Sequence, residues 1–323
     1  MKKNKGGIAV AGTMLVDHIY SISSYPDLGN LVTIDGSEKS VGGCVPNVAI
    51  DLKKMDSALA VYAMGRVGKD DDGRFIIDTL ESAGVDAEGV RLGADNTGFT
   101  DVMSIVGGQR TFFTYAGECK NFGDSDVELD ADKISMLHLG YLMLLEKIDG
   151  GDAVKLLERA RCLGIKTSVD LVSMNAEKFA ACIPVLSHVD NLIINEVEAG
   201  GLTGITPTAE NLYDIAKKLK SYGVKERVII HMPDRGVCLS DGGFTTVASY
   251  KLPKGFIKGT TGAGDAFCAG ALLAIHDGAS DTEILEFSSA AAVAALSSAD
   301  AVSGMRSKEE ISSLVKDFER QQI

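Results

Sequence analysis

Cysteines at metal-binding or disulfide spacing are missing from this sequence. The chain has six cysteines, but no C-x-x-C pair occurs and no histidine stands at zinc-ligand spacing from one. Zinc sites and the disulfide frameworks of small secreted domains are recognised by such spacings. We therefore expect neither, and we interpret the cysteines as reduced thiols of a cytoplasmic protein.

Positive charge is scarce as well. The chain has 32 lysines and arginines against 45 aspartates and glutamates, so its formal net charge is −13. Nucleic acids and anionic membranes attract basic surfaces, and this balance argues against either as the main partner. Any phosphate site must then be built locally, from a few well-placed groups.

Long apolar runs are missing too. No stretch approaches the roughly 18 apolar residues of a membrane span. Segment 1–16 has lysines ahead of a short apolar run, as signal peptides have, but Gly6, Gly7 and Gly12 interrupt it. We interpret this run as the first buried strand of a soluble protein.

What the chain does contain is short apolar runs that alternate with segments of helical period. The predicted buried strands are residues 8–15, 59–63, 136–139, 165–169, 192–194 and 228–230. The predicted helices are residues 45–55, 73–83, 152–163, 209–222, 266–276 and 282–297. This alternation indicates one doubly wound α/β domain over 1–323, with a mostly parallel sheet between two layers of helices. Substrates should gather at the carboxyl ends of its strands.

A second, smaller sheet is predicted beside this domain. Residues 99–106 and 110–115 are β-prone and are joined through Gly107-Gly108, which is typical of a hairpin. Residues 31–34 are a further strand candidate. We expect the segments of about 16–40 and 97–119 to form a small β-sheet lid.

The most informative motif runs from Gly259 to Phe267, where a glycine-rich turn precedes a predicted helix. Helix N-termini have N–H groups without intrahelical partners and the positive end of the dipole, so they bind anions. Asp265 would lie beside a bound phosphoryl group and accept a hydroxyl proton during its transfer. The structural alternative is an ordinary helix-start aspartate, which first turns favour without any ligand.

A second glycine motif, Gly42-Gly43-Cys44-Val45-Pro46-Asn47, also opens a predicted helix. Glycines allow backbone amides to approach a small polar ligand, and Asn47 offers both a donor and an acceptor. A plain turn is the alternative. The segment 65–73 contains Arg66 and Lys69, but its three aspartates favour a strand-to-helix corner over an anion site. The acidic segment 124–132 is interpreted as a solvated loop.

Polar side chains follow several predicted strands, and they are Asp17, His138, Asp170, Asn195 and His231. Asp17 and Asp170 can accept hydrogen bonds from substrate hydroxyls, which suits a polyol, although each can equally cap a turn. Asn195 and Glu198 have the spacing of a capping box. The alternative for Glu198 is to hold Mg²⁺ through water.

Taken together, these motifs resemble the ribokinase or PfkB-type carbohydrate kinase family, from about residue 8 to about residue 291. The matching elements, in chain order, are Gly42-Gly43-x-x-x-Asn47, Gly65-Arg66-Val67-Gly68, Asn195-x-x-Glu198 and Thr261-Gly262-Ala263-Gly264-Asp265. Their order is far more specific than any one of them. The resemblance implies a ribokinase-like fold, a lid that forms a homodimer contact, and ATP- and Mg²⁺-dependent phosphorylation of a primary hydroxyl.

The resemblance also assigns roles by position. It makes Asp265 the base and the amides of Gly262, Ala263 and Gly264 the anion hole. The residues expected to bind the sugar are Asp17, Gly42, Gly43, Asn47 and Asp170. The residues expected on the nucleotide side are Asn195, Glu198, His231, Gly236, Thr261 and Gly264, with Glu198 reaching Mg²⁺ through water.

Three positions depart from the family pattern. Gly259 stands where members usually carry an aspartate that helps to hold a monovalent cation, which argues against activation by K⁺. The nucleotide-side turn, commonly Thr-x-Gly-x-x-Gly, keeps only its last glycine, Gly236, and has Pro233 within it. The Asp-Pro-Asn run of fructokinase-like members is Asp170-Leu171-Val172, so the identity of the sugar is left open.

Three rival functions follow from the same residues. A nucleoside kinase would use the lid aromatics, Phe99, Phe112, Phe113 and Tyr115, to stack on a base, although lid packing explains them equally. A sugar-phosphate kinase would need a basic cluster, for which Arg110 is the obvious lid candidate. A ligand-binding protein without turnover would explain the departures, but not a retained base and glycine loop.

Overall fold

The computed structural model describes residues 6–105, 110–173 and 179–323. The described strands are β1 (Gly7–Gly12), β2 (Leu15–Ile22), β3 (Ile34–Gly42), β4 (Val61–Gly68), β5 (Val90–Gly93), β6 (Gly98–Ile105), β7 (Arg110–Tyr115), β8 (Ile134–Leu142), β9 (Lys166–Leu171), β10 (Asn191–Asn195), β11 (Arg227–His231), β12 (Arg235–Ser240) and β13 (Gly243–Ala248). The described helices are α1 (Cys44–Met55), α2 (Asp71–Ser82), α3 (Ala153–Cys162), α4 (Phe179–Cys182), α5 (Glu196–Thr203), α6 (Leu212–Ser221), α7 (Ala263–Asp277), α8 (Asp281–Leu296) and α9 (Lys308–Val315).

The larger sheet has the strand order β13-β12-β11-β10-β9-β8-β1-β4-β5. Its strands run parallel from β11 to β5, and β12 and β13 extend it antiparallel. From β1 the chain proceeds to β4 and β5 on one side and then returns to β8 on the other. The carboxyl ends of β1 and β8 therefore border a topological switch point, where open α/β sheets bind ligands.

A buried apolar layer covers each face of this sheet. Ile8 and Val10 of β1 pack into one layer, whereas Ala9 and Ala11 pack into the other, since successive side chains point to opposite faces. Helices α1, α2, α7, α8 and α9 contribute to the first layer, and α3, α5 and α6 to the second. Burial on both faces explains why these strands have no polar alternation.

The smaller sheet has the order β3-β2-β6-β7 and adjoins the carboxyl end of β1. The predicted hairpin is confirmed as β6 and β7, paired from Phe99 with Tyr115 to Ser104 with Arg110. Its junction, Gly107-Gly108, lies outside the described residues. The predicted run 8–15 is divided, because β1 ends at Gly12 and β2 begins in the other sheet.

The strand predicted at 31–34 is wrong. Strand β3 begins at Ile34, where that prediction ends, and its exposed, mostly polar residues pair along the whole of β2. The backbone ladder with β2 fixes this strand, so a search for apolar runs cannot find it. The search for apolar runs also missed β5, β12, β13 and nearly all of β2, and the search for helical period missed α4, α5 and α9.

The predicted helix 209–222 starts later, at Leu212. The Asn211 side chain accepts a hydrogen bond from the Thr208 amide at 2.8 Å and holds a turn ahead of the helix. Among the described residues, no helix combines the length and the apolar character that a bilayer crossing requires.

Candidate active site

The glycine-rich segment forms the turn that leads into α7. Gly262 immediately precedes this helix and has φ +78°, a left-handed conformation that glycine adopts freely. A Cβ at Gly262 would lie 2.6 Å from Ala301, so this close packing also excludes a side chain. The helix start has amides without intrahelical partners and the positive end of its dipole, and the Ala263 amide donates to the Thr260 carbonyl oxygen at 3.3 Å.

Asp265 lies in the first turn of α7 and is only 5% exposed. Its Oδ2 accepts hydrogen bonds from Asn47 Nδ2 at 2.8 Å and from the Tyr141 hydroxyl at 3.0 Å. Burial raises the pKa of Asp265 to about 7, and the charge of Asp170 adds to the rise. The two hydrogen bonds oppose that rise because they stabilise the carboxylate. A carboxyl group with this pKa can take up and release a proton near neutral pH.

Asn47 is brought to Asp265 by the way α1 starts. Gly43 has φ +84°, and a Cβ there would lie 2.7 Å from the Thr13 carbonyl oxygen. The amides of Cys44 and Val45 each donate to Thr13 at 3.1 Å, which fixes the helix against the end of β1. Asn47 is 3% exposed, and its Oδ1 has no hydrogen-bond partner among the described residues. That oxygen is buried as well as unpartnered.

Asp17 and Gly42 lie together near the start of the smaller sheet. A Cβ at Gly42 would lie 2.5 Å from the Asp17 carboxyl group, so the glycine leaves the space that this side chain occupies. Burial raises the pKa of Asp17 to about 6, and the neighbouring His18 lowers it. Asp17 is near enough for its charge to raise the pKa of Asp265.

Asp170 and Tyr141 connect β9 and β8. Asp170 Oδ1 accepts a hydrogen bond from the Tyr141 amide at 2.6 Å. Tyr141 has φ +57°, which is rare for a residue other than glycine and marks local backbone strain. The sequence prediction missed Tyr141, although an aromatic residue directly after Gly140 at a strand end was the available signal.

Asn195 and Glu198 form the predicted capping box at the start of α5. Glu198 Oε2 accepts from the Asn195 amide at 3.0 Å, and Oε1 accepts from Asn195 Nδ2 at 2.9 Å and from Ser173 at 3.1 Å. Burial raises the pKa of Glu198 to about 8. The structural interpretation of this pair is thus confirmed, and the carboxyl group still faces a cavity.

His231 packs over the glycine loop. Its ring lies 4.8 Å from that of Phe267, and a Cβ on Gly264 would lie 3.6 Å from its Cε1. Burial lowers the pKa of His231 to about 4, so the imidazole is neutral. Gly236 pairs with His231 across the sheet and packs against Phe267 and Leu285. It supports the wall behind His231 and is not among the residues that line the cavities.

Two cavities meet at this site. One has a volume of about 620 Å³ and the other of about 430 Å³. Both are lined by Asn195, His231, Thr260 and Gly264. The larger is otherwise mainly apolar, whereas Asp265 faces the smaller one. The first turn of α7 therefore stands between two ligand-sized spaces.

Thr261 and Gly259 are not among the residues that line the two cavities. The Thr261 hydroxyl accepts a hydrogen bond from Arg110 of the smaller sheet, and its neighbour Thr260 lines both cavities instead. At Gly259 a Cβ would lie 2.6 Å from the Ala299 carbonyl oxygen, so no side chain fits there.

Arg66, a candidate for an anion site in the sequence, forms ion pairs with two carboxylates instead. Its guanidinium donates to Glu118 at 2.9 Å and to Asp126 at 2.8 Å. Asp70 caps α2 by accepting from the Gly73 amide at 2.8 Å. The interpretation of segment 65–73 as a strand-to-helix corner is thus confirmed. The acidic segment 124–132 is not simply solvated, because Asp126 is paired with Arg66.

With this geometry established, comparison with known proteins identifies the family. The family model described as pfkB family carbohydrate kinase matches residues 6–308. The chain belongs to the PfkB family of carbohydrate kinases. This PfkB protein is accordingly a phosphotransferase with an alcohol acceptor, as its motifs predicted.

Relatives of this PfkB protein include sugar kinases of plants. It is 26% identical to a ribokinase of Arabidopsis thaliana, over 96% of this chain and 81% of the relative. It is 28% identical to fructokinase-1 of Oryza sativa subsp. japonica, over 81% of this chain and 80% of the relative.

Solved structures share the fold of this PfkB protein. Giardia lamblia ribokinase matches with a TM-score of 0.84 at 18% identity, over 97% of this chain and 99% of that one. Arabidopsis thaliana ribokinase complexed with ribose and ATP matches with a TM-score of 0.81 at 24% identity, with the same coverage of both chains. The predicted ribokinase-like fold, a mostly parallel sheet with a small β-sheet lid, is therefore confirmed.

Proposed function

We propose that this protein transfers the γ-phosphate of ATP to a primary hydroxyl of a small sugar or sugar-like compound. The observation that carries the proposal is the buried Asp265 carboxyl group, held by Asn47 and Tyr141 where two cavities meet. A nucleotide and an acceptor placed in those cavities would approach each other at this carboxyl group. The Arabidopsis relative, whose structure contains ribose and ATP, supports the same pair of ligands.

The smaller cavity suits the acceptor. Asp265 accepts the proton of the attacking hydroxyl, and its pKa of about 7 leaves a large ionised fraction at neutral pH. Asp170 lines this cavity and accepts a hydrogen bond from another hydroxyl, while Asp17 and the unpartnered Asn47 Oδ1 lie beside Asp265 as further acceptors. Gly42 leaves the space that the Asp17 carboxyl group occupies, and Gly43 lets α1 start close to Thr13.

The glycine loop suits the transferred group. The amides of Gly262, Ala263 and Gly264 and the α7 dipole stabilise negative charge that develops there. Phosphoryl transfer needs little covalent help from a protein, so positioning and charge stabilisation supply most of the catalysis. Asp265 and the loop belong to one helical turn, which keeps base and anion hole in a fixed relation.

The larger cavity suits the nucleoside of ATP. Its wall includes apolar side chains of Tyr250, Leu252, Ile257, Val293 and Leu296. The neutral His231 stands at its inner end, where a phosphate chain would pass toward Gly264.

Glu198 fits a magnesium ion held through water. Both of its oxygens already accept hydrogen bonds, yet the carboxyl group lines the smaller cavity. Magnesium keeps much of its hydration shell and is commonly bound through one or two carboxylates. A nearby cation would also favour ionisation of this group, whose pKa burial raises to about 8. Mg²⁺ would supply positive charge to the donor phosphates.

A nucleoside acceptor is the second candidate, because Phe112 of β7 lines the smaller cavity. An aromatic ring in that place can stack on a base. Phe99 is less suitable, since its ring packs on Tyr115 at 5.4 Å and on His18 at 5.6 Å.

A coupled ADP-release assay across pentoses, hexoses, sugar phosphates and nucleosides tests the proposal. We expect saturable turnover with a neutral sugar. Turnover confined to nucleosides would select the second candidate. Saturable binding by calorimetry without ADP release, for every compound that binds, would overturn the kinase proposal in favour of a binding protein.

The smaller sheet supports the proposed lid and homodimer. Phe112 of this sheet lines the acceptor cavity, and Arg110 contacts the glycine loop, so the sheet covers the site. The exposed apolar side chains of this sheet and of the connection between β2 and β3 are Tyr25, Leu28, Leu31, Ile34, Phe112, Phe113 and Tyr115. Such a patch marks an interaction surface. Sedimentation analysis should show a dimer that Phe113→Asp converts to monomer, and an unchanged mass for the variant would contradict the assignment.

A further inference from the structure

Two polar side chains in the wall of the larger cavity have groups that are free to bind a ligand. Ser289 of α8 is 5% exposed, and its Oγ has no hydrogen-bond partner among the described residues. Gln321 reaches the same cavity from the segment that follows α9. Buried polar groups normally have partners, so an unpartnered hydroxyl in a cavity wall indicates a ligand that supplies one.

Gln321 is held beside the cavity by backbone pairing. Its amide donates to the Ser249 carbonyl oxygen at 2.8 Å. The preceding residue, Arg320, forms an antiparallel bridge with Tyr250, and its guanidinium lies 3.8 Å from the centre of that ring. These contacts fix the segment at the cavity wall, so the Gln321 side chain has a defined place there.

Two backbone carbonyl groups fix the orientation of the Gln321 amide group. Its Nε2 donates to the Pro233 carbonyl oxygen at 3.3 Å and to the Tyr250 carbonyl oxygen at 3.5 Å. Carbonyl oxygens only accept hydrogen bonds, so the nitrogen of the amide must face them. In the part of the chain that the structure describes, Oε1 then remains a free acceptor on a residue that lines the cavity.

One acceptor and one hydroxyl match the hydrogen-bonding edge of adenine. Adenine has a donor in its 6-amino group and an acceptor at N1, whereas 6-oxopurines have an oxygen at position 6 and an N–H group at N1. An oxygen at position 6 would face Gln321 Oε1 as a second acceptor. The Ser289 hydroxyl can donate or accept, so it can pair with N1 of either kind of base. Gln321 therefore discriminates between the bases, and Ser289 adds affinity for both.

We propose that Gln321 selects a 6-aminopurine nucleotide as the phosphoryl donor, and that Ser289 binds the adjacent ring nitrogen of the base. The inference rests on the proposed function, because it takes the larger cavity as the nucleotide site. It adds the residue that distinguishes ATP from 6-oxopurine triphosphates. The apolar wall, which includes Leu252 and Val293, contacts the faces of a base and does not distinguish its edges.

Calorimetric titration of the full-length protein with ADP and with inosine diphosphate tests the proposal, because these nucleotides differ only in the 6-substituent and the proton at N1. We expect ADP to bind about 10- to 100-fold more tightly. Gln321→Met keeps the length of the side chain but has only a weak sulfur acceptor. It should weaken ADP binding about 3- to 10-fold without weakening inosine diphosphate binding, so that the preference falls to within about threefold. Gln322→Met is the matched control, since Gln322 is exposed and does not line the cavity, and it should keep the preference of the parent.

Ser289→Ala should give a different result. Loss of the hydroxyl should weaken binding of both nucleotides by about 3- to 10-fold and leave their ratio unchanged. Ser288→Ala is the matched control, because the Ser288 hydroxyl donates to the Ile284 carbonyl oxygen at 2.7 Å within α8 and does not line the cavity. It should leave the affinity for both nucleotides unchanged.

The outcomes separate this proposal from the kinase proposal. Equal binding of the two nucleotides by the parent, or a preference that survives in Gln321→Met, would overturn base selection even if the coupled assay shows turnover. Selective binding of ADP without turnover of any acceptor would overturn the kinase and support base selection. Absence of binding by either nucleotide would overturn both. The preference is a ratio of two affinities of the same preparation, so partial unfolding of a variant does not change it.

Discussion

The two cavities that meet at Gly264 are lined by opposite kinds of side chain. The acceptor cavity contains Asp265 and Glu198, whose pKa values burial raises to about 7 and about 8. The nucleotide cavity is walled by aliphatic and aromatic groups such as Leu252 and Val293. Under the proposed function, proton transfer and hydroxyl recognition use the buried carboxyl groups on one side, while the nucleotide binds on the other side by shape and apolar contact. Substitutions in the smaller cavity should then mainly lower kcat, whereas substitutions in the larger cavity should mainly raise the KM for ATP.

The largest effect is expected from Asp265→Asn. The amide keeps the shape and can still contact Asn47 and Tyr141, but it cannot accept the hydroxyl proton. We expect kcat to fall by about 10² to 10⁴ with sugar binding largely unchanged. Steady-state kinetics and calorimetry measure the two quantities separately. An unchanged kcat would remove Asp265 from the mechanism.

The stability of the same variant shows whether it is folded. The pKa of Asp265 in the folded protein is about 7, above its ordinary value of 3.8, so protonation of this group stabilises the folded state. The stabilisation is complete when the pH is below 3.8. This contribution is lost as the pH rises through about 7. Asn does not ionise, so Asp265→Asn should melt higher than the parent at about pH 8, with the difference disappearing toward about pH 4. Asp71→Asn, at a side chain that is 94% exposed, is the control and should show no such difference.

A charge in the nucleotide cavity should produce the opposite kinetic pattern. Ile257 lines that cavity and is 50% exposed, so Ile257→Asp should fold. It places a negative charge where an apolar base and a phosphate chain would bind. We expect the KM for ATP to rise about 10-fold, with kcat and the KM for sugar within about twofold. Leu92→Asp, 53% exposed at the far edge of the sheet, is the matched control. A rise in the sugar KM alone would mean that the two cavities are assigned the wrong way round.

Tyr141→Phe should have a smaller effect that appears in the pH profile. The Tyr141 hydrogen bond lowers the pKa of Asp265, so its removal raises that pKa above about 7. Less base is then ionised at a given pH, and the acidic limb of kcat/KM should move up by about 0.5 to 1 unit. The loss should be about 3- to 10-fold near pH 6 and should vanish near pH 9. Tyr213→Phe, on the exposed face of α6, should leave the profile unchanged. A uniform loss at every pH would indicate a packing defect instead.

The central elements were predictable because their patterns are local. The buried strands β1, β10 and β11 contain continuous apolar runs, and α7 and α8 have compositions that favour helix. The glycine loop and the capping box are short-range motifs as well. In contrast, β3 is polar and exposed and exists because β2 pairs with it. A short stretch of sequence does not show which strand will pair with it.

The site shows the same limit. The family resemblance assigned roles to Asn47 and Asp265 from their places in the sequence. It could not show that the two side chains are hydrogen-bonded, because they lie 218 residues apart along the chain. Cys44, His138 and Asp170 are likewise far apart in sequence, yet the fold brings them within 4.8 Å of one another. Spacing rules detect residues that are close in sequence, whereas only the tertiary fold brings α1 and α7 into contact.

The smallest effect concerns monovalent cations and the loop behind the anion hole. Gly259 has no carboxylate to hold a cation, and the Ala299 carbonyl oxygen lies 2.6 Å from where its Cβ would be. We therefore expect activity in KCl and in tetramethylammonium chloride to agree within about twofold. Gly259→Asp should lower stability by about 1 to 3 kcal/mol, because its side chain must displace the backbone of Ala299. Since Gly262 packs on nearby Ala301, that displacement should also disturb the anion hole and lower kcat without creating a dependence on K⁺. Strong activation of the parent by K⁺ would show that backbone carbonyl groups alone hold the cation.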